Sequence, residues 1–478
     1  MQPIITDPLT LIVTESLVDA SLKKAIIKLG SSLREFPQRR SVNRGVWDGQ
    51  AIVVKRYWPH CKQQRDIQRE WAALKRLHAL NLPIPKPLFM GKSGTVFCTV
   101  TRYCEGAVTF KTALEQADSS SKRESLLRHL FDHIALQHSL GLYQQDNHLD
   151  NYLWDGQSLL SLDASSFYFG SQHPLAFQKR LKNLALLLAN IDLPWEKEAE
   201  MALATYWKRL PTARSQLEVK LAQAIPEQRR YRLRRYLKKT QRTCTAFISQ
   251  SQAGYSFLCD RKLTASAQNA FRFQLDALIE QGELIKDGNS STIAEIRVDQ
   301  RHYVVKRYQA KSLFYRLRRS LYPSRARRSW MLAQGCLLYG IPAPLPWACL
   351  EEKQGALVKR GFLVMDKVSG IPLDRFIESH LEEPIVLKKI AQQFAALWAM
   401  MGKLKVAHGD MKATNLLVSA DGQQMVLIDL DHFSFFLPPL LFSLRRRRDK
   451  RRFMQNWQAR PGVEALFRAS LDRVEGRV

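Results

Sequence analysis

Apolar residues along the chain follow two periods, and strand-like and helix-like stretches alternate in the same order in each half. Gln50–Trp58 (QAIVVKRYW) is a β-branched run that predicts a strand. Gln63–Leu80 (QQRDIQREWAALKRLHAL) has apolar positions three and four apart among strong helix formers, which predicts a helix. Asn81-Leu-Pro-Ile-Pro-Lys-Pro stops it, because prolines remove the backbone donors a helix needs. Val96–Tyr103 reads as another strand and Glu124–Leu140 as a helix; a turn at Asp155-Gly156 and an apolar run then lead to Asp163. The second half repeats the order. Leu284–Tyr308 predicts two strands around a Gly288–Thr292 turn, and 311–341 a basic helix stopped by Ile341-Pro-Ala-Pro-Leu-Pro. Phe362–Val368 is a strand, Leu387–Met401 a helix, and Leu416–Val418 with Met425–Ile428 a hairpin about Ala420-Asp421-Gly422. Leu17–Leu33 also has helical spacing, compatible with an amphipathic leader or with part of the first unit. Residues 174–250 read as a helical tail, and Ser-Gln-Ser-Gln-Ala-Gly after it marks a boundary. The expected domains are therefore 1–250 and 255–478.

The chemistry gathers at the hairpins. In VAHGDMKATNLLVSADGQQMVLIDLDHF, Asp410 and Asn415 stand in a D-x-x-x-x-N spacing, and the hairpin returns Asp429 beside Asn415. Phosphoryl transfer uses this set: a carboxylate to orient the acceptor hydroxyl, and an amide and a second carboxylate to hold Mg²⁺ on the nucleotide phosphates. A lone D-x-x-x-x-N is equally a solvated, capped hairpin. The full string, with His-Gly before Asp410, points to a kinase-type catalytic loop. Asp146, Asn151 and Asp163 repeat the arrangement in the first half. Upstream, Lys55 in its strand and Glu70 in the following helix have the spacing of a phosphate-holding pair, although a lysine in such a run equally reads as snorkelling at a sheet edge, and Lys306 occupies the equivalent strand of the second half. Ser290 and Ser291, in the turn before Lys306, offer backbone N–H groups to phosphate oxygens. Lys412, inside the catalytic loop, is a further candidate for the nucleotide.

Charge adds a partner class. The 478 residues carry 73 Lys+Arg against 44 Asp+Glu, a net charge of +29, which suits work near polyanions. The run Arg229–Arg242 reads as a solvated helix face or, because it has almost no acidic partners, slightly more readily as a contact with an anionic surface that would relieve its self-repulsion. The seven cysteines contain no C-x-x-C pair, which suggests a reducing compartment and no zinc site. The N-terminus lacks a basic n-region and no stretch is long and apolar enough to span a bilayer, so a cytoplasmic location is expected. Phe433–Leu444 is apolar but split by two prolines, and Arg445-Arg-Arg-Arg-Asp-Lys-Arg-Arg follows it. That pair of stretches reads as core or, only slightly less readily, as a contact with an anionic membrane interface.

These strings together resemble the bacterial lipopolysaccharide kinases, the Kdo kinases and inner-core heptose kinases. The second half carries the resemblance in SSTIAEIRVDQRHYVVKRY, GIPAP, FLVMDKVSG and HGDMKATNLL…LIDLDHF; the first carries it in VVKRY, QREWAAL…LPIPKP and QQDNHLDNYLW…LSLD. The resemblance implies an α+β chain of two tandem protein-kinase-like bilobal domains using ATP and Mg²⁺. Asp410 and Asp146 would be catalytic, Asn415, Asp429, Asn151 and Asp163 would hold metal, and Lys306, Lys55 and Glu70 would hold nucleotide. The implied acceptor is a sugar of the lipopolysaccharide core, on lipid A-linked oligosaccharide at the anionic inner-membrane surface, so the protein would be peripheral to that membrane. A kinase for another acceptor and a non-catalytic scaffold are the alternatives. Nucleic acid is not an expected partner, since no binding module for it is recognisable. Two departures stand out. Ser329 occupies the helix position where Glu is expected, leaving Lys306 without a local carboxylate, and Gln144-Gln145 replaces His-Gly in the first half. One unit could then be catalytic and the other a helper.

Overall fold

The computed structural model describes residues 10–476 except 14, 17–24, 37–39, 60–62, 212–213, 289–290, 310–322 and 356. The chain is α+β and divides into two compact units, Met1–Arg229 and Arg230–Val478.

The first unit begins with an antiparallel sheet in the order Thr10–Val13, Ala25–Phe36, Arg40–Trp47, Gln50–Tyr57, Val96–Arg102, Pro87–Ser93 and Glu15–Ser16. Ile27, Ile52, Val54 and Val100 fill one face. The helix Gln63–Ala79 covers the other with Ile67, Trp71, Leu74 and Leu77. Leu17–Leu33 departs from its helical spacing. Its described part is strand, because Ala25, Ile27 and Leu29 are buried while Ile26 and Lys28 between them are exposed. The outward-facing Ile26 accounts for the apparent helical spacing; residues 17–24 lie outside the described residues. The helices Ser120–Ser139, Phe177–Asn190, Glu196–Ala202 and Ala204–Arg209 build a second core around Leu127, Phe131 and Ile134.

In the second unit the sheet runs Phe247–Gln252, Tyr255–Asp260, Pro346–Gln354, Leu357–Asp366, Arg301–Gln309, Ser291–Val298 and Glu283–Gly288. Its last five strands repeat the order of Pro87–Ser93, Val96–Arg102, Gln50–Tyr57, Arg40–Trp47 and Ala25–Phe36 in the first unit. The helices Ala265–Phe273 and Leu275–Gln281 pack on one face, and Arg325–Leu338 lays Ala326 and Trp330 on the other. The rest of the expected 311–341 helix, up to 322, lies outside the described residues. Pro384–Lys403, Pro439–Met454 and Pro461–Glu475 form the helical part, where Phe394 stacks on Phe453 at 3.8 Å.

Two further expectations change. Ser249–Gln252, expected to mark a boundary, is the end of a strand in the second sheet, turned by Ala253-Gly254 into a hairpin with Tyr255–Asp260, and the units divide upstream at Arg229. In Phe433–Leu444, Phe433 is buried, but Leu440, Leu441 and Leu444 are exposed on the surface of a helix, so the core reading holds only for the first part. Among the described residues no helix is long and apolar enough to cross a membrane.

Candidate functional site

In the second unit, strands Leu416–Val418 and Met425–Leu427 pair with Leu416 opposite Leu427. Ile428 N–H then donates to Asn415 O at 2.9 Å, which fixes Asp429 beside Asn415. The Pro-rich turn has a second duty: Pro342 O accepts from Leu427 N–H at 2.9 Å and ties the hairpin down. Asp429 sits in the left-handed region (φ 58°), a conformation Asp tolerates better than most residues, and opens the short turn Leu430–His432.

The loop before Asp410 is held from behind. Asp449, fully buried on the helix Pro439–Met454, accepts the backbone N–H of His408 at 2.9 Å and of Gly409 at 3.1 Å. Gly409 is at φ +82°, and a Cβ there would come within 2.8 Å of His432, so glycine is required. His408 Nε2 lies 3.0 Å from Ile428 O. Burial lowers the His408 pKa, against the opposing pull of that carbonyl and of Asp449, and favours the neutral ring. Asn415 donates to Asp410 O at 2.9 Å, which spends its amide nitrogen and turns its oxygen elsewhere. The Asp410 carboxylate pairs with Arg452 at 2.6 Å and lies 3.8 Å from Lys412.

Lys306 reaches Asp429 at 2.7 Å and Asp431 at 3.1 Å. Asp431 also accepts from Tyr308 Oη at 2.8 Å, Ser329 Oγ at 2.9 Å and Arg325 at 2.9 Å. Burial pushes its pKa up, but Lys306, Tyr308 and Arg325 outweigh burial and hold it at about 2. The carboxylate missing from the helix at Ser329 is therefore supplied by the loop.

The first unit reverses the arrangement. Lys55 pairs with Glu70 at 2.9 Å and with Asp163 at 3.3 Å. The residue two beyond Asp163 is Ser165, whose N–H donates to Glu70 at 3.0 Å. Burial opposes the Lys55 charge, yet Glu70 and Asp163 raise its pKa above the usual lysine value. Glu70 and Ser165 thus exchange places with Ser329 and Asp431. Asp163 is again left-handed (φ 54°), Asn151 donates to Asp146 O at 2.7 Å, and Ser161 N–H donates to Pro83 O at 2.9 Å. Gln144 donates to Leu162 O at 2.6 Å, the same bond that His408 makes to Ile428 O, so the change from His to Gln preserves that contact. Two features are lost. Asn183 faces the loop where Asp449 does, donating to Gln144 O at 2.7 Å instead of accepting two N–H groups. Asp146 is largely exposed, with His148 at 3.7 Å.

The structure thus gathers Lys306, Asp429, Asn415 and Asp410 at one loop, and Lys55, Glu70, Asp163, Asn151 and Asp146 at another. Lys412 lies by Asp410 rather than by Lys306. Ser291 is paired between Gly288 and Tyr308 in the sheet, and Ser290 falls outside the described residues. Sequence reasoning missed Asp431, Asp449, Arg452 and Asn183. Asp431 had a signal, being the second acid of Leu-Ile-Asp-Leu-Asp; the others lie on distant helices with no motif.

Residues 276–435 match the family model of the lipopolysaccharide kinase (Kdo/WaaP) family, a stretch that includes Lys306, Asp410, Asn415, Asp429 and Asp431. Members of that family are phosphotransferases acting on hydroxyl groups, and by this match the chain is a phosphotransferase of that kind. No curated protein matches the chain.

Proposed function

We propose that the chain consists of two protein-kinase-like bilobal units in tandem, and that the second transfers the γ-phosphoryl group of ATP to a sugar hydroxyl of the lipopolysaccharide inner core, heptose or Kdo. The acceptor would be met at the cytoplasmic face of the inner membrane, with the protein peripheral to it. The observation that carries this reading is the convergence of Lys306, Asp429, Asn415 and Asp410 on one hairpin mouth.

Each side chain then has a role its surroundings suit. Asp410 orients the acceptor hydroxyl and takes its proton, while Asp449 holds the loop from which it projects. Lys306, braced by Asp431, holds the nucleotide phosphates. Asn415 and Asp429 offer the hard oxygen donors that Mg²⁺ prefers, and the amide of Asn415 is already set by its bond to Asp410. When bound, Mg²⁺ would neutralise charge on the phosphates.

For the first unit a second reading has its own support. Lys55, Glu70, Asp163 and Asn151 keep the nucleotide frame, but Asn183 replaces the loop-holding carboxylate and Asp146 stands exposed. This unit suits nucleotide or acceptor holding more than turnover, as a pseudokinase does. The test is thermal stabilisation by Mg·ATP. Tight binding to the native state raises the melting point, and Lys306→Ala should abolish the share due to the second unit. No stabilisation in the unaltered chain would contradict the reading.

A further inference from the structure

The helix Pro439–Met454 has an outer face that the catalytic assignment does not use. With 3.6 residues per turn, Leu440, Leu444, Arg447, Arg448 and Arg451 fall on one stripe, flanked by Leu441. Leu440 is 82% exposed, Leu441 50% and Leu444 63%, so the first turns present bare leucine to solvent. The opposite stripe is occupied. Arg446 lies on Trp398, Asp449 holds the catalytic loop, and Phe453 stacks on Phe394. Among the described residues Arg447, Arg448 and Arg451 have no acidic partner, and the outer stripe contains no acid.

The two chemistries are separated along the axis rather than around it. Leucines occupy the first two turns and arginines the next two. A helix lying flat in an interface has its apolar residues along its whole length; this one suits an oblique entry, N-terminus first. Leu440 and Arg447 stand about 10 Å apart along the axis, so the leucines reach the acyl boundary while the arginines stay among headgroups. Pro439 at the first helical position has no N–H to desolvate on entry. Nucleic acid would reward the arginines but not exposed leucine at the leading end.

We infer that this face docks the second unit on a bilayer of anionic lipid, with Leu440, Leu441 and Leu444 entering and Arg447, Arg448 and Arg451 pairing with lipid phosphates. One turn beyond Arg448, Arg452 pairs with Asp410, so the docking helix also holds the catalytic loop. Docking would set Asp410 about 18 Å along the helix from the entering leucine. The inference takes its setting from the proposed lipid-linked acceptor, but it can be read without turnover.

The test is co-sedimentation of the full chain with phosphatidylcholine vesicles, with and without phosphatidylglycerol. Binding is expected only with the anionic lipid. L440S/L441S/L444S and R447E/R448E/R451E should each weaken it about tenfold or more while keeping stabilisation by Mg·ATP. No binding to phosphatidylglycerol vesicles overturns the inference. So does binding that survives the leucine substitutions, or a DNA duplex bound as tightly and lost with the arginines. A chain that binds these vesicles but gains no stability from Mg·ATP would instead contradict the kinase reading and leave the docking face standing.

Discussion

Lys306 and Asp431 lie 3.1 Å apart, and the carboxylate comes from the loop after Asp429, not from the helix that packs on the sheet. In the first unit the corresponding lysine, Lys55, takes its second carboxylate from that helix, at Glu70. Serine fills the vacated place in both, as Ser329 and as Ser165. If the pair serves only to brace the lysine, its carboxylate can be moved. Asp431→Ser should lower kcat/KM on the order of 100-fold, and the double variant S329E/D431S should recover most of the loss. Failure of the double variant to recover, in a chain that still melts cooperatively, would show that Asp431 does something other than brace Lys306.

The same carboxylate sets a pH dependence. Its folded pKa of about 2 lies below the ordinary aspartate value, so its stabilising contribution is fully present above about pH 4 and is lost as pH falls toward 2. The contribution is on the order of 2 kcal/mol. Asp431→Asn should therefore melt well below the unaltered protein at pH 7, and the gap should narrow between about pH 4 and pH 3. A gap that stays constant over that range would mean the stability comes from packing.

Asp449 is buried and accepts two backbone N–H groups of the loop that carries Asp410. Asn in its place offers one oxygen and a competing donor, so Asp449→Asn should cost about 2 kcal/mol and lower the melting point by roughly 5 °C. It should also lower kcat more than it raises KM for ATP, since Lys306 and Asp429 are untouched. An equal effect on both constants would assign Asp449 a structural part alone.

Much of this was legible in the sequence because the relevant residues sit close together in the chain. Asp410, Asn415 and Asp429 are separated only by a hairpin with a clear turn, and the order of strand lysine, proline turn and catalytic loop recurs in both halves. Leu17–Leu33 has helical spacing because the exposed Ile26 adds an apolar residue to the period of two formed by Ala25, Ile27 and Leu29. Ser249–Gly254 reads as a domain boundary because its residues are small and polar, yet Ser249–Gln252 pairs with Tyr255–Leu258 in a hairpin. The braces at Asp449 and Asn183 were out of reach, since each lies about forty residues from the loop it holds, on a helix whose own pattern reports only its packing. Exposure of Leu440 and its neighbours depends on what packs nearby, which no local pattern states.

The central claim is that Asp410 performs the phosphoryl transfer to a core sugar. Its most direct test is mass spectrometry of core oligosaccharide from cells carrying Asp410→Ala or Asp146→Ala. The expected result is loss of one phosphate, about 80 Da, with Asp410→Ala, and a smaller loss or none with Asp146→Ala. A core that keeps every phosphate in the Asp410→Ala cells, with the variant protein still made and folded, would contradict the claim.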